Sequence, residues 1–483
     1  MQPAHWFFDR LLRKLEGRRI SSERLADVMA RLVFAAPRPL SQSEIASGRD
    51  LPGQGELAPD SVSRATSALT GLKLVSALPA QTDKPGRPYT PLQLGGEQWA
   101  MVGVKVGHAA GRPVSLDLLV TSLGGQPITI EGRQASDSTW QVQIPEGEDL
   151  VDAIAREVED LCDRPEIRNL IILGVGVEIA GHVFNGKVIE ASHSGMKGEQ
   201  LDEWLSERLG GLARRFGDHR NPGIIDRPEP LPVIVDNDVN VLAVLEAYNS
   251  RYSDRDVAVI AVFDEGIGAA LLIDGRVYRG ARGMAGEIGH CLVPIGAELT
   301  DDQPVRRYAS FSARCHCGKT RHLDCYATPV RILSYLQESD FTAVAMRPPE
   351  RDGELTVEGF AFTIAGQALG YGIAGMVNVM NPSRVLVYLP PPLVTFEPDS
   401  VAERYDHEMR RMFQAHSFSD AGNTTEITVE PMTPDRRRFL GAQAAALRVV
   451  DSFIEHARQQ CSCFAVPPPL ATATSTSAKS AAR

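Results

Sequence analysis

The chain has 483 residues, 43% hydrophobic and 23% charged, with a formal net charge of −11. At roughly 150 residues per domain this makes about three packing units, whose cores need no disulfide staples, and it excludes a wholly disordered chain. The net charge argues against nucleic acid, because a DNA-binding surface must neutralise phosphates, but the charge is segregated. Residues 1–95 hold 13 Lys and Arg against 9 Asp and Glu, and the remainder holds 37 against 52.

The opening MQPAHWFFDRLLRKLEG mixes charges into its apolar residues and builds no signal-peptide core. No stretch reads as the roughly 18 uncharged apolar residues of a membrane span, so a cytoplasmic protein without a membrane partner is expected. Arg24 to Phe34 places Leu25, Val28, Met29, Leu32 and Val33 on one helical face. Ser41 followed by Glu44 fits a capping box opening a short helix, Gln42 to Ser47. After the Gly/Pro-rich GRDLPGQGELAP, Pro59 starts a third helix. Its inner face holds Val62, Ala65, Leu69 and Leu72, and its outer face Ser61, Ser63, Arg64 and Ser67. LVSAL and YTPLQL then flank a polar turn, Gln81 to Pro88, that contains Lys84 and Arg87 and reads as a β-hairpin.

Helices followed by a hairpin in this order predict a winged helix-turn-helix, whose third helix enters the major groove of double-stranded DNA. Ser61, Ser63, Arg64 and Ser67 are the candidate operator contacts, with Lys84 and Arg87 on phosphates from the wing. The turn Gly48 to Ala58 is longer than the usual 3 to 4 residues. A lid or protein-docking module with a solvated polar face fits the same pattern.

From Trp99 the β-branched runs MVGVKVG, VSLDLLVTSL, LIILGVGVEI, LPVIVDN and VAVIAVF alternate with helical patterns at Leu150 to Cys162 and Gln200 to Phe216. This predicts two α/β lobes. The divisions are 1–95 for the helical front, 96–240 and 241–464 for the lobes, and 465–483 for a low-complexity, disordered tail.

Seven cysteines are sparse for this length, and Cys315, Cys317 and Cys325 fall within eleven residues. Clustering of that kind indicates a metal site in a reducing compartment rather than a disulfide framework. Zn²⁺ takes four tetrahedral N or S ligands. Cys315, Cys317 and a His at 322 lie in one turn, His290 in GEIGH is the best fourth ligand by type, and Cys325 competes with His322.

Asn237-Asp238-Val239-Asn240 after a strand, the glycine-rich stretch from Glu265 to the GEIGH at Gly286 to His290, and CHCGKTRHLDCYA together resemble the motifs of the ROK family of sugar-responsive repressors and sugar kinases. The resemblance runs from about Ser22 to Val450. It implies a two-lobed, actin-like (ribonuclease H-like) ATPase-type α/β body behind the winged helix-turn-helix domain. It also implies sugar contacts at Asn237, Asp238, Glu287, His290 and Asp324, with His193 standing where the family often has Asn. The implied structural zinc ligands are His290, Cys315, Cys317 and His322. Asp324 replaces a glutamate of the family and is shorter by one methylene.

Family kinases carry a DxGGT phosphate loop on the first strand. The aligned segment here is Lys105-Val106-Gly107-His108-Ala109, with lysine in place of the Mg²⁺-binding acid. NPSRVLVYL leads into Pro390-Pro391-Pro392 where a Gly-Gly turn would line adenine. Asp238 is the general base if the chain is a kinase. The expectation is therefore a non-enzymatic transcriptional regulator, a repressor, that binds operator DNA, a sugar-like effector and zinc as a dimer or tetramer. The alternatives are an ATP-dependent hexose kinase and a sugar-responsive protein-binding adaptor.

Overall fold

The computed structural model describes residues 8–9, 11–13, 20–48, 55–81, 88–95, 99–107, 114–129, 139–191, 194–212, 230–248, 256–294, 314–315, 317–418 and 424–462. Lys84, Arg87, His193 and the tail 465–483 lie outside the described residues.

The front of the chain folds as its capping chemistry dictates. Helix Ser22–Ala35 starts at Ser21, whose side chain accepts from the Arg24 N–H. Helix Gln42–Ser47 carries the complete Ser41–Glu44 capping box, and helix Pro59–Gly71 opens with proline in its first turn. Strands β1 (Val75–Ala77) and β2 (Leu92–Leu94) pair antiparallel as the base of the hairpin. Buried Arg31 ties the second helix to Gly55 ahead of the third. Its guanidinium donates to the carbonyls of Ile45 and Gly55, and to that of Ala46 at 3.4 Å. The Leu57 N–H adds a bond to the Ala46 carbonyl at 2.8 Å.

In the body, β3 (Trp99–Gly107), β4 (Ser115–Ser122), β5 (Trp140–Gln143), β6 (Ile171–Ile179) and β10 (Val233–Asn237) form one sheet in the order β10-β6-β3-β4-β5. Between β6 and β10 a small sheet is made by β7 (His182–Phe184), β8 (Lys187–Glu190) and β9 (Glu199–Gln200). A second large sheet contains β11 (Val257–Val262), β12 (Ile267–Ile273) and β13 (Arg276–Tyr278). Beyond the short hairpin β14 (Glu350–Arg351) and β15 (Glu354–Leu355), it is completed by β16 (Arg384–Leu389) and β17 (Glu426–Pro431). Its order is β13-β12-β11-β16-β17. Each large sheet is an antiparallel three-strand meander followed by two strands parallel to its first. The same topology used twice is the two-lobed actin-like arrangement.

Helices Leu150–Cys162 and Leu201–Arg208 cover one face of the first sheet. The second sheet is covered by Val357–Met380 and Val401–His416 on one face, while Val239, Leu242 and Ala243 of helix Asp238–Ala247 pack on the other. Val357–Met380 corrects one expectation, because it is long and apolar enough to cross a membrane. Its apolar window is 78% buried inside the fold, as in a core helix.

The last helix, Pro434–Ser462, was counted with the second lobe and instead packs on the first sheet. It approaches so closely that a Cβ at Gly103 would overlap the Ala442 carbonyl, and one at Gly176 the Ala445 carbonyl. Its far end grips the front of the chain. Phe453 meets Phe8 edge-on at 5.2 Å, His456 Nε2 lies 2.6 Å from Asp9 Oδ1, and Arg458 lies 3.7 Å from Asp27. Leu25, Met29, Leu32, Trp99, Leu447, Val450 and Phe453 thus share one core, so the helical front and the first lobe are packed as one body. The Trp99 indole N–H also donates to the Leu72 carbonyl at 3.2 Å.

Candidate metal centre and effector cleft

Glu287 precedes a single 3-10 turn, Ile288–His290, which turns the His290 ring toward the loop after Arg314. His290 Nδ1 lies 3.3 Å from Cys315 Sγ, and Cys317 Sγ lies 3.4 Å from His322 Nδ1. The four ligand atoms of His290, Cys315, Cys317 and His322 all lie within 4.8 Å of one another. Two thiols and two imidazoles so spaced fit a closed tetrahedral site for a soft-to-borderline divalent cation. Cys325 is buried outside this group; its N–H donates to the His322 carbonyl and so helps seat that ring. Burial pushes the Cys315 thiol up to about 12, and a bound cation would hold it as thiolate. An open pocket of about 680 Å³ lies against this turn, lined by His290, Leu292, Arg314, Lys319 and His322.

The sugar candidates divide. Asn237 caps helix Asp238–Ala247, its Oδ1 accepting from the Val239 and Asn240 N–H groups while its Nδ2 donates to the Gly181 carbonyl at 2.8 Å. Both ends of the amide are therefore committed to backbone. Asp324 is also turned inward. Its Oδ1 accepts from the Ile267 N–H at 2.8 Å, and its Oδ2 lies 3.7 Å from Cys315 Sγ, with 5% of the side chain exposed. Its shorter arm supports the metal turn from behind. Glu287 is half-exposed, and its carboxylate lies 3.9 Å from His290 Nε2, the ring nitrogen turned away from the thiols. Burial raises the Glu287 pKa, Asp238 and Asp324 add to the rise, and His290 and His182 oppose it. His193 lies outside the described residues.

On the first-lobe side Asp238 is buried, which raises its pKa against the opposing charges of Lys105 and Arg437. The Lys105 ammonium pairs with Glu178 inside the lobe. Glu178 is a single acid in an otherwise apolar strand, a signal in GVGVEI that motif reading passed over. Arg437, at the start of the last helix, stacks over Phe263 at 4.1 Å. His182, also missed, joins the lobes through a 2.7 Å hydrogen bond between its Nε2 and the Arg282 carbonyl. Of the DNA candidates, Ser63, Arg64 and Ser67 are exposed on the third helix and Ser61 is half-buried, while Val62, Ala65 and Leu69 face the core. Arg64 lies 3.4 Å from Asp60 on the same helix.

Comparison with known proteins matches residues 225–448 to the ROK family. The chain is 25% identical over 249 residues to the xylose repressor of Caldicellulosiruptor bescii, covering 48% of this chain and 57% of the repressor. It is 23% identical over 364 residues to the DNA-binding transcriptional dual regulator NagC of Escherichia coli (strain K12), covering 72% and 76%. A glucokinase of Halalkalibacterium halodurans is 26% identical over 181 residues, covering 34% and 50%. The chain thus spans between half and two thirds of the length of several of these relatives. Among solved structures, a ROK family transcriptional regulator, a homolog of the E. coli MLC protein, superposes with a TM-score of 0.60 at 18% identity, covering 90% of this chain and 100% of that one. The match to the ROK family begins just before the strand that ends at Asn237 and includes the Cys/His turn and the first half of the last helix.

Proposed function

We propose that this chain is a DNA-binding transcriptional regulator of the ROK type, a cytoplasmic repressor that senses a sugar or sugar derivative and does not phosphorylate it. The observation that carries the reading is the third helix, whose apolar face is locked into the core while Ser63, Arg64 and Ser67 stand exposed beside a hairpin. That is the geometry of a helix offered to a groove. The names of the xylose repressor and NagC agree with it.

Kinase chemistry meets three obstacles. Lys105 sits where an acid would hold Mg²⁺, and its charge is spent on buried Glu178. The turn after β11 that would face phosphate carries Asp264 and Glu265, charges of the same sign. Pro391–Leu393 forms a 3-10 turn where adenine would need a glycine pair. Asp238 keeps its place after the strand, and this favours a sugar kinase as the second reading. Zn²⁺ is the cation that suits the Cys₂His₂ set, with a structural role. His290, with Nδ1 toward the thiols and Nε2 toward Glu287, would link metal to effector. A homo-oligomer, dimer or tetramer, would present two readers at once.

A thermal-shift screen with D-xylose, D-glucose and N-acetylglucosamine, paired with an ATP-turnover assay, tests the reading. A ligand should raise stability by RT ln(1+[L]/Kd) with no ATP consumed. Sugar-dependent ATP turnover that disappears in Asp238→Asn would establish the kinase instead. A protein that shows no salt-dependent DNA binding would favour the adaptor.

A further inference from the structure

The end of β10, the segment after β13 and the last helix meet in one ion lattice, buried at Asp236 and Arg448 and about a quarter exposed at Arg279 and Glu455. Asp236, directly before Asn237, accepts on Oδ2 from Arg279 Nη2 at 2.6 Å and from Arg448 Nε at 3.0 Å. Its Oδ1 accepts from the Asn237 N–H at 2.9 Å and from Asn240 Nδ2 at 3.1 Å. Arg279 follows β13 and opens the second-lobe segment that ends in Glu287 and His290. Its other guanidinium arm lies 3.6 Å from Glu455 on the last helix. Arg448 pairs with Asp451 and Glu455 at 3.0 Å each, and Tyr248 donates to Asp451 at 2.8 Å. Asp236 is 5% exposed and Arg448 9%. Directly beyond Glu455, His456 and Arg458 hold Asp9 and Asp27 at the front of the chain.

Arg279 thus binds both the end of β10, just before Asp238, and the last helix, which packs on helix Ser22–Ala35 at the front of the chain. We propose that Arg279 is the coupling residue through which a change in lobe angle at the cleft reaches the DNA-reading helices. The proposal rests on the sugar-responsive reading above. Its physical basis is that Asp236 is buried and an acid left there without its partner is costly, so the Asp236 pairs break and remake rather than stretch. A guanidinium offers two carboxylates a rigid planar fork, whereas an ammonium is a point charge on a flexible stem and sets no angle between them. A second lobe that rotates about a ligand between Asp238 and Glu287 must carry Arg279 with it, and Arg279 pulls on Glu455. The last helix is then displaced from helix Ser22–Ala35 at the contacts of Phe453, His456 and Arg458.

Hydrogen–deuterium exchange on the full chain without ligand tests the coupling directly. It compares wild type with Arg279→Gln, Arg279→Lys and a control, Arg404→Gln, which breaks a pair with Glu350 elsewhere in the second lobe. Arg279→Gln should speed exchange in Ser22–Ala35 by about 5-fold or more, the lower end of common couplings, while β11 and β16 stay as slow as in wild type. Arg279→Lys should fall between, and Arg404→Gln should leave Ser22–Ala35 unchanged. Unchanged exchange in Ser22–Ala35, or equal acceleration in β11, overturns the proposal. Glu455→Gln, at the helix end of the same pair, repeats the measurement should Arg279→Gln not fold. A second arm measures DNA affinity with and without D-xylose or N-acetylglucosamine. Where either sugar shifts the wild type, the fold-shift should approach one in Arg279→Gln, and a retained shift overturns the coupling. A wild type unmoved by both sugars counts against the sugar-responsive reading, while the exchange data still decide the role of Arg279.

Discussion

Arg31 shows what a single side chain can hold in place. Two carbonyls of the second helix, those of Ile45 and Ala46, and that of Gly55, ahead of the third helix, end on its guanidinium, and burial lowers its pKa against the pull of Asp27. Arg31→Met should cost about 1–3 kcal/mol, the penalty of stranding buried acceptors, read as a lower denaturant midpoint. Periodicity put five apolar residues of this helix inside and left Arg31 aside, because its partners are backbone carbonyls, which leave no mark in the sequence. The grouping of the candidate metal ligands was legible for the opposite reason, since Cys315, Cys317 and His322 lie within eight residues of one another. Cys315→Ser together with Cys317→Ser should reduce bound zinc from one per chain to none, and Cys325→Ser should leave it in place; metal analysis after dialysis checks both. Asp202 gives a pH signature. Burial pushes its carboxyl up to about 6 from an ordinary 3.8, so the folded state holds its proton to higher pH than the unfolded chain. Its contribution is present below about pH 4 and lost as pH rises through about 6. Asp202→Asn should therefore melt higher than wild type at about pH 8, with the gain shrinking toward about pH 4.

Among the elements, the last helix is the one whose role sequence reading did not reach. Its periodicity is visible, but its partners, β3, β6 and helix Ser22–Ala35, lie hundreds of residues earlier, and no local pattern names them. Gly103 and Gly176 were the available hints, two glycines inside β-branched runs, which mark a close backbone approach. Gly176→Ala should push the helix off the sheet and cost at least the 1–3 kcal/mol or so typical of overpacking, seen as a fall in melting temperature. Gln42–Ser47 was readable to the residue from its capping box and the start of the third helix from Pro59, because these signals sit in adjacent residues, whereas Leu72, read onto that helix, lies just past its end at Gly71. On the third helix, Arg64→Ala should weaken DNA binding and lower the slope of log K against log salt by about 1. An unchanged slope would move the DNA contact elsewhere.

For the molecule as a whole, the division of charge is the feature that organises function. A surplus of four on residues 1–95 sits on a body with a deficit of fifteen, so the body should repel DNA everywhere except at the reader. A surplus this modest implies weak non-specific affinity and tight binding only when two readers engage together. The two-lobed body and its motif positions were legible from the strand runs and the resemblance, whereas the ion lattice around Asp236 depends on three distant segments meeting. That this chain reads DNA is tested by fluorescence anisotropy with duplex DNA from upstream of its own gene, titrated across a salt series. The expected result is saturable binding whose logarithm falls linearly with log salt and which is weakened in Arg64→Ala. Absence of salt-dependent binding to that DNA by the folded chain would show that it does not read DNA.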